Sequence, residues 1–202
     1  MKKTILLFLT LGLFACQPKE QENKAVQDVT SSTQSASLPQ RDSLVQFPQD
    51  WEGRYEGEMQ WYVNGKLRGV IPCRHEVLPQ KSGVWSWKTT YDSTQILPQT
   101  VVKDYLLLED KSQPQGHFIL DEQDGILLDM ILMGNSFYSQ FEVNGSRINT
   151  IDRLEGGLLY KEIVMTAKDK VRKSSAQTGK ETFEVESANS IIVQKAILKK
   201  QE

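Results

Sequence analysis

From residue 53 almost to its end, this chain alternates large apolar and polar side chains with a period of two, and that pattern limits the fold more than anything else in it. Within Arg54–Trp61, Tyr55, Gly57, Met59 and Trp61 share one face, and Arg54, Glu56, Glu58 and Gln60 share the other. Successive side chains of a strand point to opposite sides, so this is a strand with one side in a core and the other in water. Asn64-Gly65 follows, a pair able to take the positive φ angles of a two-residue hairpin turn.

The same alternation returns segment after segment. A second strand is predicted from about Leu67 to Leu78, bulged or on an edge near Pro72, because proline cannot donate to a ladder. Trp85, Trp87, Thr89 and Tyr91 share a face in the next segment, and 100–110 follows after a proline-containing connection. The segments 116–122 and 125–133 form a hairpin around Gln123-Asp124-Gly125. Phe137, Ser139, Phe141 and Val143 share a face before Asn144-Gly145, a second turn signal that leads into 146–155. Gly156-Gly157 turns the chain into 158–167, a polar loop is expected over Lys168–Lys180, and 181–188 and 190–198 close the series.

Nine to eleven short strands with almost no helical periodicity predict an all-β domain over residues 50–202, long enough for one substantial core. Consecutive hairpins favour an antiparallel up-and-down β-barrel of about eight to ten strands, since closure removes exposed edges and sequence neighbours become spatial neighbours. A sandwich with Greek-key crossovers would show a similar pattern.

Trp51, Gly53 and Tyr55 at the head of this meander resemble the W-x-G-x-Y opening of calycin-type barrels, the lipocalin and fatty-acid-binding group and their bacterial lipocalin-like relatives. The resemblance implies a ligand site in the lumen, lined by the inward face of each strand. The candidate ligand-binding residues are Tyr55, Met59, Trp61, Trp85, Trp87, Tyr91, Tyr105, Phe137 and Phe141, with Thr89, Ser139 and Tyr138 as candidate hydrogen-bonding partners. Each aromatic ring buries about 150 to 250 Å², so such a set either fills a barrel solid or lines an apolar slot.

The first residues carry a different message. Lys2 and Lys3 precede an apolar run from Ile5 to Ala15, about half of the roughly 20 residues needed to span a bilayer. This matches the positive and apolar regions of an export signal. Leu13-Phe14-Ala15-Cys16 resembles the lipobox of bacterial lipoproteins. That resemblance implies removal of residues 1–15, acylation of Cys16 (palmitate among the chains), and, with Gln17 next, an anchor in the outer membrane of the cell envelope. Several acyl chains on one cysteine hold stably where one holds only reversibly. The whole chain is also similar to lipoproteins of Bacteroidota with no assigned activity. Residues 16–49 are rich in Gln, Ser, Thr and charge and are expected to form a disordered linker between anchor and domain.

Composition and motif spacing exclude several classes of function. Lys and Arg number 24 against 26 Asp and Glu, and loss of Lys2 and Lys3 makes the balance more acidic, so no global basic field exists to gather nucleic acid. With Cys16 acylated, Cys73 has no partner in the chain and reads as a small buried hydrophobe. His75 shares its strand face, but two side chains do not make a metal site and His117 lies in a distant segment. Asp121, Glu122 and Asp124 fall on a turn. Nucleophile-elbow, phosphate-loop and zinc signatures are missing, so no catalytic residue, metal or cofactor is assigned. The sequence therefore reads as a non-enzymatic, membrane-anchored barrel that binds a small apolar molecule or lipid, or else as an accessory protein of an envelope complex with a filled barrel.

Overall fold

The computed structural model describes residues 45–202. The signal-like segment, the lipidation position Cys16 and the linker up to residue 44 lie outside the described residues. Ten strands follow one another: β1 (Gly53–Val63), β2 (Lys66–Lys81), β3 (Val84–Tyr91), β4 (Val101–Glu109), β5 (His117–Asp121), β6 (Leu127–Met133), β7 (Ser136–Val143), β8 (Ser146–Glu155), β9 (Leu158–Thr178) and β10 (Glu181–Lys200). Each pairs antiparallel with its sequence neighbour, and β1 pairs with β10 from Tyr55↔Lys200 to Val63↔Ile192, so the sheet closes into an up-and-down barrel. The fold class is all-β, and the described residues contain no helix.

Turn chemistry follows the local sequence. Asn64 and Gly65 have φ of 50° and 75°, and Asn144 and Gly145 of 48° and 75°, the left-handed pairs whose twist matches that of the flanking strands. Pro72 sits in β2 just beyond the end of β3, whose pairing stops at Cys73↔Tyr91. Its carbonyl accepts a hydrogen bond from Asp92 N–H at 3.0 Å. A strand residue directs N–H and C=O to the same side, so the missing donor faces this free end and leaves the ladder to β1 intact.

One end of the barrel is sealed by the chain ahead of β1. The turn at Gln46–Asp50 drops Phe47 among Trp85, Phe118 and Phe137, at centroid distances of 4.7, 5.2 and 5.2 Å, all edge-on. Trp51 is fully buried, 5.0 Å from Phe137 and 6.0 Å from Trp87. Tyr55 Oη donates to the Trp51 carbonyl at 2.7 Å, which ties the tryptophan and tyrosine of the opening motif together. Val45 and Phe47 pack against the core, so the packed body reaches further towards the N terminus than residue 50, where composition placed its edge.

The expected polar loop at Lys168–Lys180 is instead strand. β9 continues to Thr178, the chain turns at Gly179, and 181–188 and 190–198 form one continuous β10. Register pairing of β8 with β9 ends at Ser146↔Ala167, with Lys168 N–H still donating to the Gly145 carbonyl at 3.0 Å, and that of β1 with β10 at Val63↔Ile192, so from 169 to 190 the two strands pair only with each other and project as an arm. Polar residues serve in a strand when both faces are wet. Here Lys173 meets Glu186 at 2.6 Å, and Phe183 and Val185 remain exposed.

Gly57 sets how closely β1 approaches β10. A Cβ there would run into the main-chain carbonyl oxygen of Ile197, which no side-chain movement relieves. Gly57→Ala is expected to destabilise the barrel by about 1 to 3 kcal/mol through overpacking, read as a lower urea midpoint with an unchanged slope.

Candidate functional site

All nine candidate ligand residues point inward, as the alternation requires, but the barrel splits them between levels. Tyr55, Trp87 and Phe137 are buried, and with Trp85 they belong to the aromatic seal around Phe47, Trp51 and Phe118. Met59 is buried further along β1, while Trp61, Tyr91 and Tyr105 are half-buried against the core. Phe141 is half-exposed in a cross-strand row with Ile148, Met165, Ile192 and Val63. Thr89 and Ser139 are buried on the inward face. Tyr138 is not: Phe137 and Ser139 face in, so the residue between them faces out, and Tyr138 is exposed on the outer wall.

Between seal and far end lies a polar waist that the sequence reading missed. Lys161 Nζ donates to Asp152 Oδ2 at 2.8 Å, with both side chains at least nine-tenths buried. Lys161 Nζ also lies 5.5 Å from the Trp87 ring centroid. His75, edge-on to Trp87 at 4.9 Å, shares a 2.8 Å hydrogen bond between Nδ1 and Thr89 Oγ1, and its Nε2 has no partner among the described residues. Burial, and then the nearby Lys161 charge, hold His75 well below its ordinary value, so it is neutral. Burial pushes the Cys73 thiol up to about 11, which leaves it protonated and a poor nucleophile. Tyr55 rises to about 12, and Tyr91 and Tyr105 also rise, each chiefly from desolvation. Within this waist Lys161 is ion-paired to Asp152, Cys73 is a thiol and His75 is a neutral imidazole.

Asp152 and Lys161 stand at equal distances from the Gly156-Gly157 turn on the otherwise apolar faces of β8 and β9. Opposite charges at inward parity, mirrored about a turn, were the signal available in the sequence. Asp121 and Asp124 do what turn residues do, accepting from Gln123 N–H at 2.7 Å and Ile126 N–H at 3.1 Å. Among the described residues no group of three or more His, Cys, Asp or Glu side chains could hold a metal ion.

Two open spaces differ greatly in size. The interior gap bounded by Met59, Cys73, Tyr91, Lys161 and Gln194 measures about 10 Å³, about the room of one water molecule. A far larger concavity, about 700 Å³, lies on the outer wall across β7, β8, β9, β10 and β1. Strand register builds it from two cross-strand rows. Ser136, Arg153, Tyr160, Ile197 and Glu58 form one row, and Tyr138, Ile151, Glu162, Lys195 and Gln60 the other. Arg153 lies 4.9 Å from the Tyr160 ring centroid, and Lys195 meets Glu162 at 3.5 Å. Ala196 lies between the rows on β10, and Gly57 borders the trough on β1, one residue beyond Glu58.

No family model matches the chain, and no curated protein matches it. Among solved structures, the crystal structure of a point mutant of the fluorescent protein UnaG is similar, with 10% sequence identity and a TM-score of 0.38 over 76% of this chain and 99% of that one.

Two outcomes test the waist. Lys161→Met leaves Asp152 buried without its partner and is expected to cost about 3 to 5 kcal/mol, whereas Lys161→Met with Asp152→Leu recovers most of that loss; equilibrium unfolding of the two variants checks the pair. For His75, the unfolded chain takes up a proton below the ordinary value of 6.5 while the native barrel does not. Its contribution is therefore complete above that pH and declines as pH falls. His75→Gln should flatten the dependence of unfolding free energy on pH below 6.5, and an unchanged slope would assign the acid sensitivity to other groups.

Proposed function

We propose that this protein is a non-enzymatic binding module of the cell envelope, in which the closed barrel is a packed scaffold and the outer wall is the working surface. One contrast carries the reading: about 10 Å³ is open beside Lys161 in the interior, against about 700 Å³ in the outer trough. Sites for small molecules typically occupy about 300 to 1,000 Å³, so the trough has the size of a site and the interior gap does not. Acylation at Cys16 and a linker that ends before Val45 would hold that wall within reach of a membrane surface, with the outer membrane as the proposed location. The β9–β10 arm adds a second feature suited to contact, two unpaired strand edges beside exposed Phe183 and Val185.

A second reading keeps the small apolar ligand inside the barrel. The half-buried rings of Trp61, Tyr91 and Tyr105, with half-exposed Phe141, favour it, because this end of the lumen lacks the tight seal that Phe47 and Trp51 give the other. A ligand there must displace side chains, since the gap beside Tyr91 admits no more than a water.

Native mass spectrometry of the whole chain purified from its host separates the readings. An apo mass, accompanied by envelope components released on dilution, is expected for the outer-wall module. A stoichiometric apolar molecule, lost on Trp61→Ala with the fold retained, would establish the lumenal site instead. Metabolic labelling with palmitate should mark Cys16, and label that persists in Cys16→Ala removes the anchor from the proposal.

A further inference from the structure

We infer that the outer trough is a binding site for an uncharged oligosaccharide. This rests on the reading of the outer wall as the working surface and names the class of ligand it takes. Strands spaced by about 4.8 Å make each five-residue row about 19 Å long, and the two rows, two residues apart along the strands, are separated by about 7 Å. A helix with its side chains is about 10 to 12 Å across, too wide to settle between such rows. In this stretch β8, β9 and β10 are paired on both sides, so a peptide cannot add here as a further strand. The occupant is therefore narrow and recognised by side chains alone.

The chemistry of the lining narrows it further. Tyr160 and Tyr138 stand diagonally across the trough, with the aliphatic side chains of Ile151 and Ile197 between and beside them, and Ile197 is 56% exposed. These apolar surfaces alternate with hydrogen-bonding groups of both senses: Arg153 and Lys195 donate, Glu58 and Glu162 accept, and the Gln60 amide does both. A ligand that matches this mixture has apolar faces and many hydroxyls, each able to donate and accept, as a pyranose ring has. Charge excludes the obvious competitors. The two cations and two carboxylates of the rows balance, and Lys161, which also borders the trough, is neutralised by Asp152. Neither a polyanion nor a polycation finds a complementary field. Arg153 lies over Tyr160, and Lys195 lies beside Glu162, so the groups stand in defined positions before a ligand arrives.

Isothermal titration of the whole chain with maltotetraose, cellotetraose and chitotetraose, and with a heparin tetrasaccharide as the charged control, tests the assignment. At least one neutral tetrasaccharide should bind saturably, and Tyr160→Ala and Tyr138→Ala should each weaken it by about tenfold or more. Both rings are on the outer wall, so the melting temperature should stay near that of the parent. If Tyr160→Ala disturbs the fold by releasing Arg153, Gln60→Ala provides the same reading from the opposite row. The inference is overturned if no neutral probe binds at about ten millimolar, if only the heparin fragment binds, if a peptide library yields the trough's ligand while the saccharides do not, or if binding survives all three substitutions. Failure here, with an apo barrel still seen by native mass spectrometry, removes the saccharide and leaves the outer-wall module standing; a molecule found in the lumen removes the module itself.

Discussion

The pairing of β1 with β10 is the constraint on which the rest depends. It joins the two ends of the domain through a continuous register from Tyr55↔Lys200 to Val63↔Ile192, and Lys200 Nζ reaches across to the Asp50 carbonyl at 3.0 Å. Without it the meander would be an open sheet with two long free edges and an inner face in water. With it, the inward side chains of the barrel's core are desolvated together, and the turn at Gln46–Asp50 can lower Phe47 and Trp51 into one end as a seal. Gly57 permits the close approach of the two strands, because any side chain at that position meets main chain.

Desolvation then decides the chemistry of the interior. A lysine, an aspartate and a histidine are enclosed among Trp87, Thr89 and the apolar core, and each is tolerated for its own physical reason. The two charges neutralise each other at 2.8 Å, and the imidazole stays neutral. Cys73 remains a thiol. A polar waist of this kind fixes which residues face each other, since a slip of register by one residue would turn Lys161 or Asp152 away from its partner and into water. The same register, read on the other side of the sheet, lines up the two rows of the outer trough. Interior pairing and exterior site are two faces of one hydrogen-bonded ladder.

Much of this was legible in advance for reasons that can be stated residue by residue. Tyr55, Met59, Trp87 and Phe137 announced their inward direction through alternation alone, and Asn64-Gly65 and Asn144-Gly145 announced their turns through backbone sterics. Phe47 did not, because a single aromatic in polar sequence carries no periodicity, and only the open end of a barrel gave it somewhere to go. The stretch from Lys168 to Lys180 misled because its polarity resembles that of a loop, whereas a projecting ribbon with two wet faces needs no apolar side. Tyr138 was misplaced when its chemistry was weighed ahead of its parity.

The sequence by itself determined that the chain is built of antiparallel strands, where several of them turn and which face of each is apolar, because these follow from local φ preferences and a two-residue period. Only the tertiary structure decided how full the interior is and where a ligand has room, because both depend on how side chains from strands far apart in the chain interpenetrate. Volume left over is a property of the assembled barrel: about 10 Å³ beside Lys161 and about 700 Å³ on the outer wall. No single strand carries that information, since each contributes only one edge of either space.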